Sequence, residues 1–382
     1  MKKLISWMLA LALAMTMMLC PAWAEQEERI ADVAMDLMGC SVHYPQLTGL
    51  PDAQVQRDVN ALIMEKGEIN QRLSRVAQLM NSPVKIAVSY DAFLAEGIFS
   101  CALLADGAVL NSRSTQIYST VNVDTRSGEV FSLTDVLTEE GVTRLEALLT
   151  ELAGELSAHL AAGTLLPLPE TFAISPTGLT LYYPIEQFRT LSDRAGTVTV
   201  LWSELAPHLQ LAEGSVLARI GAAQHLTLAE DAAERLTAAV AEGGLPGIPA
   251  RIGQPMQTLV DTHHLLNDAD LYEGGRMIAL ESGAFRQVWM LTDSLRRDFA
   301  SSEVQGIRAD RLSLHGLCTG ATTQQDWRKA LGQPVASHAV DAAQAESWCI
   351  VPGVSDYYDL GQYRLRLHAD EAGVLRSVFL QR

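Results

Sequence analysis

The sequence predicts an α+β protein: an N-terminal antiparallel sheet with two amphipathic helices, then two small modules in which a helix lies on an antiparallel sheet. Three observations carry this expectation. Apolar residues recur at helical spacing over 55–80 and again over 142–160. Runs rich in β-branched and aromatic residues, bounded by Gly, Pro, Asn and Asp, fill the intervals. Along the N-terminal part the order is strand, helix, strands, helix, strands, which is the order of an α+β domain. The chain has 382 residues, 48% of them hydrophobic, enough for more than one core and too apolar for global disorder.

Residues 1–24 stand apart from the fold. Lys2 and Lys3 precede an apolar run from Leu4 to Leu19, and Pro21-Ala-Trp-Ala24 places small residues before Glu25. That is the pattern of a secretory signal peptide cut between Ala24 and Glu25, with an uncleaved anchor as the alternative. Leu19 occupies the place where lipidation at Cys20 needs a small residue, so a lipid anchor is not expected. The chain is therefore expected to be exported, secreted or extracytoplasmic, without stable membrane insertion after cleavage.

The elements follow in order. An extended stretch runs from Ser41 to Leu50. Val55, Val59, Leu62, Ile63, Ile69, Leu73, Val76 and Met80 then mark one amphipathic helix, weakened at Gly67. Strands are expected over 84–93, 98–105 and 115–124, with Asp106-Gly107 as a hairpin signal. The stretch Ser119–Leu137, STVNVDTRSGEVFSLTDVL, gathers acids and hydroxyls around a glycine. It reads as a strand, a turn at Thr125-Arg-Ser-Gly128, a returning strand and a short helical turn capped by Thr134 or Asp135. Asp124 fixes the turn, and the segment lacks the further oxygen ligands of a metal loop. A second helix over 142–160 and strands over 172–183 and 197–202 complete a domain spanning 25–212.

Residues 213–247 form a helix, with Thr227 and Glu230 as a capping box, and a Gly/Pro linker. Two small α+β repeats are expected beyond it, 248–310 and 311–382. Gly253-Gln-Pro255 recurs as Gly332-Gln-Pro334, and Phe285-Arg-Gln-Val-Trp-Met290 as Leu375-Arg-Ser-Val-Phe-Leu380. Tyr363, Leu365 and Leu367 alternate as a half-buried strand does, and 370–373 turns the last hairpin.

Charge narrows the partners. The formal net charge of −17 repels nucleic acid and anionic membrane. Four cysteines remain after the signal segment, and an exported chain makes disulfides possible. Pairing within each half, Cys40 with Cys101 and Cys318 with Cys349, is the simplest arrangement; buried free thiols are the alternative.

Among catalytic motifs, there is no GxSxG, HExxH, P-loop or dinucleotide-binding glycine pattern. His263-His264 after Asp261 points in two directions on a helix and does not suit one ion. Asn267-Asp-Ala-Asp270 begins like a calcium loop but continues with Tyr272, so it reads as a turn. No catalytic, metal-binding or cofactor-binding residues are assigned, and no cofactor is expected. Trp289 and Trp327 read as core. Trp348, Tyr357 and Tyr358 lie beside a Pro/Gly-containing loop and are the candidate ligand contacts.

Two resemblances add to this reading. Tyr44-Pro-Gln-Leu-Thr-Gly49, Asp58-Val-Asn-Ala-Leu-Ile63, Val123–Leu137, Phe172–Tyr183 and Gly196–Leu205 together resemble a bacterial cell-envelope module, the domain of unknown function 3298, over about residues 40–210. Relatives of that family occur in a lysozyme-sensing anti-sigma ectodomain and beside a peptidoglycan deacetylase domain; this chain carries neither effector. The stretch Gly316–Pro334 is similar to modules of the β-lactamase-inhibitory-protein type, in which helices cover an antiparallel sheet. These resemblances imply a non-enzymatic envelope protein that recognises a protein partner, a basic one such as lysozyme being favoured by the acidic charge. A peptidoglycan or carbohydrate binder using the C-terminal aromatics is the alternative, and a cell-wall hydrolase a further one.

Overall fold

The computed structural model describes residues 28–37, 39–78, 85–108, 115–155, 165–184, 196–245, 248, 250–261, 265–272, 275–280, 288–292 and 301–382. The signal segment with Cys20, Ala24 and Glu25, and the pair His263-His264, lie outside these residues. The fold is α+β, with helices packed on mainly antiparallel sheets.

The first sheet has six strands in chain order: β1 (Arg29–Leu37), β2 (Cys40–Thr48), β3 (Lys85–Ala95), β4 (Ile98–Ala108), β5 (Thr115–Asp124) and β6 (Glu129–Val130). Strands β2 and β3 pair in parallel, so the chain crosses over between them through α1 (Ala53–Lys66) and α2 (Ile69–Gln78). The Asp52 carboxylate starts α1 by accepting from the N–H groups of Gln54 and Val55. The one helix expected over 55–80 is thus two. The break falls at Gly67 and Glu68, where Glu68 takes a φ of 49°. Val59, Ile63, Ile69 and Val76 from the two helices are buried with Val42, Phe99, Leu103 and Val121 of the sheet.

The turn chemistry also differs from expectation. The β3–β4 hairpin turns at Glu96-Gly97, both at positive φ (49° and 75°), as a two-residue type I′ turn requires. Asp106-Gly107 instead continues β4, paired with Gln116 and Thr115. The turn after β5 is where the sequence places it. The Asp124 side chain accepts from the Arg126 N–H at 2.9 Å, and Gly128 has a φ of 79°. The short helical turn that follows is capped by Ser132 rather than Thr134, with Asp135 returning to the Ser132 N–H.

A second, three-stranded sheet holds β7 (Phe172–Ile174), β8 (Gly178–Tyr182) and β9 (Thr197–Leu201). It packs with α3 (Glu139–Glu155) around Leu145, Leu149, Leu179, Val198 and Trp202. A buried polar bridge ties it to the first sheet. Ser100 donates to Asn122 Oδ1 at 2.7 Å, Asn122 Nδ2 donates to the Phe172 carbonyl, and the Ile174 N–H donates to Ser100 Oγ.

Beyond α4 (Val216–Arg219), helix α5 runs from Ala232 to Val240, six residues later than the capping-box reading placed its start at Leu226. Thr227 and Leu228 are pressed against Gly316 instead. Leu236, Val240 and Leu245 join the core of the third sheet. That sheet has eight strands: β10 (Leu265–Tyr272), β11 (Gly275–Leu280), β12 (Val288–Thr292), β13 (Gly306–Ala309), β16 (Ala336–Val340), β17 (Gly353–Leu360), β18 (Tyr363–Asp370) and β19 (Leu375–Gln381), with the small hairpin β14 (Ser313–Leu314) and β15 (Leu317–Cys318) beside it. The lateral order is β10-β11-β12-β13-β19-β18-β17-β16. Asn267–Asp270 lies inside β10, where the register shifts between Leu265 and Ala269, and not in a turn.

This order makes the two repeats halves of one sheet, joined where β13 pairs with β19. The tripeptide match is not their true alignment. Gly253-Gln-Pro255 leads into α6 (Met256–Asp261), whereas Gly332-Gln-Pro334 follows α7 (Gln324–Leu331). Val288-Trp-Met290 belongs to the third strand of its half and Leu375–Leu380 to the fourth. The backbone hydrogen bonds give the correspondence. Gly253 N donates to Val304 O, and Val304 N to Gln254 O; Gly320 N donates to Leu375 O, and Leu375 N to Thr322 O. Met256 N donates to Ser302 O as Gln324 N does to Gly373 O. Leu259 of α6 and Trp327 of α7 then occupy matching, fully buried places.

Candidate functional site

Among the described residues, the helix-covered face of the eight-stranded sheet is an apolar core with one buried carboxylate. Asp356 of β17 accepts from Arg328 twice at 2.7 Å, from Ser337 at 2.7 Å and from Trp327 Nε1 at 3.1 Å. Burial raises its pKa, but these hydrogen bonds outweigh burial and hold the carboxyl below its ordinary range. This arrangement clamps α7 to the sheet.

The opposite face is different in kind. One lateral row crosses five strands: Trp289 on β12, Arg308 on β13, Phe379 on β19, Arg366 on β18 and Tyr357 on β17, each paired in register with the next. Adjacent strands place such neighbours about 5 Å apart, so rings and guanidinium groups meet. Arg308 lies 4.6 Å from the Trp289 ring centre and 5.6 Å from that of Phe379. Arg366 lies 4.5 Å from Phe379 and 5.7 Å from Tyr357. The row alternates cation and aromatic ring about Phe379, within the range where the ring quadrupole attracts a cation.

Arg308 is fully engaged. Its Nε donates to Asp310 Oδ1 at 2.7 Å and its Nη2 to Asp310 Oδ2. The guanidinium also donates to the backbone carbonyls of Trp348 and Cys349, at 3.1 and 2.7 Å. It therefore ties the segment after α8 (Ala342–Ser347) down onto the sheet. Cys349 takes a φ of 53° in that segment, and the Trp348 ring comes to rest 4.3 Å from the Arg366 guanidinium.

Arg366 has a different set of partners. Its Nε donates to Ser355 Oγ at 2.9 Å, while Nη2 is buried without a hydrogen-bond partner. Burial, then the nearby Arg308 charge, lower its pKa, against an opposing effect of Tyr357. A proton-ordered chain runs on from Ser355. His368 Nε2 faces the Val351 carbonyl at 2.8 Å and must donate to it, so Nδ1 accepts from the Ser355 hydroxyl at 3.0 Å. Burial above all lowers His368 to about 4, which keeps the ring neutral and this hydrogen-bond order intact. Ser355 and His368 are both fully buried. Their contact positions Arg366 and presents no exposed nucleophile.

The three aromatic residues singled out from sequence separate. Trp348 and Tyr357 are half-buried on the arginine face. Tyr358 points the other way: it is 5% exposed in the core, and its hydroxyl donates to the Gly332 carbonyl. Successive residues of a strand face opposite sides, so Tyr357 and Tyr358 cannot serve one surface. Trp289, expected in the core, is half-buried in the row; Trp327 is core as expected. The two arginines were missed. The signal for Arg366 was the polar parity of β18, Arg364, Arg366 and His368 between buried leucines, which reads as a solvent face; Arg308 lies on β13, where four residues carry no such pattern.

The cysteine pairings are corrected: Cys40, Cys101, Cys318 and Cys349 are all free. Cys40 is on β2 and Cys101 on β4, with β3 between them. Two strand spacings, about 9–10 Å, exceed the reach of a disulfide. Cys318 is buried with its thiol donating to the His225 carbonyl, whereas Cys349 is exposed beside the arginine row. Among the described residues no cluster of His, Cys, Asp or Glu could hold a metal ion. No described helix is long and apolar enough to cross a membrane.

No protein-family model matches the chain, and no curated protein matches it. Solved structures do. A member of the DUF3298 family from Bacteroides fragilis is 10% identical with a TM-score of 0.38, covering 51% of this chain and 96% of that one. A DUF3298 family protein from Pseudomonas aeruginosa is 11% identical with a TM-score of 0.33, covering 48% and 93%. A DUF4309 family protein from Bacillus subtilis is 15% identical with a TM-score of 0.26, covering 40% and 97%. The first two carry the name of the family whose motifs residues 40–210 resemble.

Proposed function

We propose that this chain is an exported envelope protein that acts by binding, and that it recognises a protein partner with the arginine–aromatic face of its C-terminal sheet. The carrying observation is the row Trp289, Arg308, Phe379, Arg366 and Tyr357 with Trp348 over it. Tryptophan, tyrosine and arginine are the residue types that contribute most of the energy at protein interfaces. Here Trp289, Trp348 and Tyr357 present half-buried rings on one face of the sheet, backed by the buried Arg308, Phe379 and Arg366. The signal-like N-terminal segment supports export, and the net charge of −17 supports steering of a basic partner such as lysozyme.

The test is co-sedimentation of the full chain with insoluble peptidoglycan, with and without added lysozyme. Pelleting that depends on lysozyme, and that weakens at least about tenfold in Trp348→Ala, is the expected result. Pelleting without lysozyme favours the second reading, a wall-glycan binder, which the half-buried indole of Trp348 on an irregular segment supports. Turnover of wall fragments, abolished by one Asp or Glu substitution, would replace both with a hydrolase.

A further inference from the structure

The chain passes from one apolar core to another between Leu226 and Leu228. Leu226 packs against the cluster of the three-stranded sheet and Leu228 against that of the eight-stranded sheet. Polar contacts join the two units at this point, and three of them converge on His225, the last residue of the short helical turn Ala222–His225. Its carbonyl accepts from the Ser313 hydroxyl at 2.8 Å and from the Cys318 thiol at 3.0 Å. Its Nδ1 accepts from the His315 N–H at 3.3 Å, and the two imidazole rings stack with centres 5.1 Å apart and planes inclined by 25°. His315 has a φ of 47°, and its own Nδ1 is buried with no hydrogen-bond partner among the described residues.

This geometry needs neutral rings. An Nδ1 that accepts from a backbone N–H carries no proton, so neutral His225 holds its proton on Nε2. A second proton on Nδ1 would set donor against donor and leave a charge in a buried place. Two protonated rings would be like charges face to face. Arg235 of α5 stands near both rings and opposes their protonation, while Asp231, its ion-pair partner, favours that of His315. From the other side come the Cys318 thiol and Arg311, which is paired with Glu204. Burial above all lowers both histidines, His225 to about 4.

We propose that the His225–His315 stack is an acid-opened joint: on taking up protons it lets the β14–β15 hairpin part from segment 222–228, while the apolar cores on either side stay folded. Moving His225 breaks its three contacts with residues 313–318 together. Opening returns the rings to water, where an ordinary histidine titrates near 6.5. Above that pH both forms are neutral and closure does not depend on pH. As pH falls from 6.5 toward 4, the open form binds the proton that the closed form excludes. Opening then becomes more favourable by up to about tenfold per pH unit for each histidine.

The chain carries its own probes. Cys318 is buried in the joint, Cys40 and Cys101 are buried in the six-stranded unit, and Cys349 is exposed. The full chain is labelled with dithiodipyridine at pH 6.5, 5.5 and 4.5, each cysteine is read by peptide mass spectrometry, and rates are scaled to Cys349. The scaled rate of Cys318 is expected to rise at least about tenfold across this interval, with Cys40 and Cys101 staying closed. His225→Gln should remove most of the rise. If that variant fails to fold, His315→Gln, which keeps the backbone N–H, should reduce the rise several-fold. His368→Gln should leave it unchanged, because His368 belongs to the sheet and not to the joint. A flat Cys318 rate, a rise untouched by the joint variants, a rise lost in His368→Gln, or Cys40 and Cys101 reacting in step with Cys318 would each overturn the proposal.

Discussion

His368 shows how a single residue sets the working range of the sheet. Its ring is fully buried between the Ser355 hydroxyl and the Val351 carbonyl, and its pKa falls from the ordinary 6.5 to about 4. Above pH 6.5 it is neutral in both folded and unfolded chains, so the stability it contributes is fully present. As pH falls from 6.5 toward 4, only the unfolded chain takes the proton, and stability is lost, on the order of 3 kcal/mol in all. Below 4 both states hold the proton and the loss stops. His225, which burial first and then His315 and Arg235 lower to about 4, acts in the same direction. His43 is raised, chiefly by its hydrogen bond to Asp32, and its opposite contribution is weakened by exposure. Urea unfolding at pH 7, 5.5 and 4.5 should therefore show falling stability across that interval, and His368→Gln should flatten the slope. An unchanged slope would remove His368 from the account.

Elements are fixed by a few close approaches. The β14–β15 hairpin sits so tightly on the segment before α5 that a Cβ at Gly316 would lie 2.2 Å from the Thr227 carbonyl carbon. Gly316 also has a φ of 87°, which side chains rarely adopt. Gly316→Ala is expected to cost at least about 2 kcal/mol, read as a lower urea midpoint with unchanged slope. The same mutation at Gly214, with a φ of 82° and open space around it, should cost less because it meets no backbone. Such approaches explain what could be read ahead of the structure. The Thr125–Gly128 turn, the α3 core positions and the buried face of β18 are local, and their residues carry the pattern in one short window. The arginine row draws single residues from five strands between 289 and 379. Its burial depends on a segment tied down by Arg308, so no window of sequence contains it. The disulfide expectation failed for the same reason: strand order decides whether Cys40 and Cys101 meet, and order is not a local property.

At the scale of the molecule, the three largest apolar clusters among the described residues mark the six-stranded sheet, the three-stranded sheet and the eight-stranded sheet, and a small fourth one, Met277, Leu291 and Phe379, lies on the arginine face of the last. The third cluster includes α5 and both repeats, so the boundary that matters for stability precedes α5. Polar contacts join it to the rest: Arg311 pairs with Glu204, and Ser313 and Cys318 both donate to the His225 carbonyl. A fragment of residues 224–382 is therefore predicted to unfold cooperatively on heating, whereas 248–310 alone should give no transition. Leu259, Ile278 and Met290 of the first repeat share their cluster with Trp327, Leu365 and Leu380 of the second. A cooperative melt from the single repeat would refute the shared core.

The seam between the halves has a consequence for the time during which the chain is still folding. Strands β13 and β19 join over one short register, Gly306–Ala309 against Val378–Gln381, between segments far apart in sequence. Such non-local pairing is reached late. Until it forms, each four-stranded half carries a bare inner edge with unpaired N–H and C=O groups. The two edges are complementary within one molecule, and equally so between molecules. At high concentration the first half of one chain can close on the second half of another, giving an exchanged dimer with every native strand pair retained.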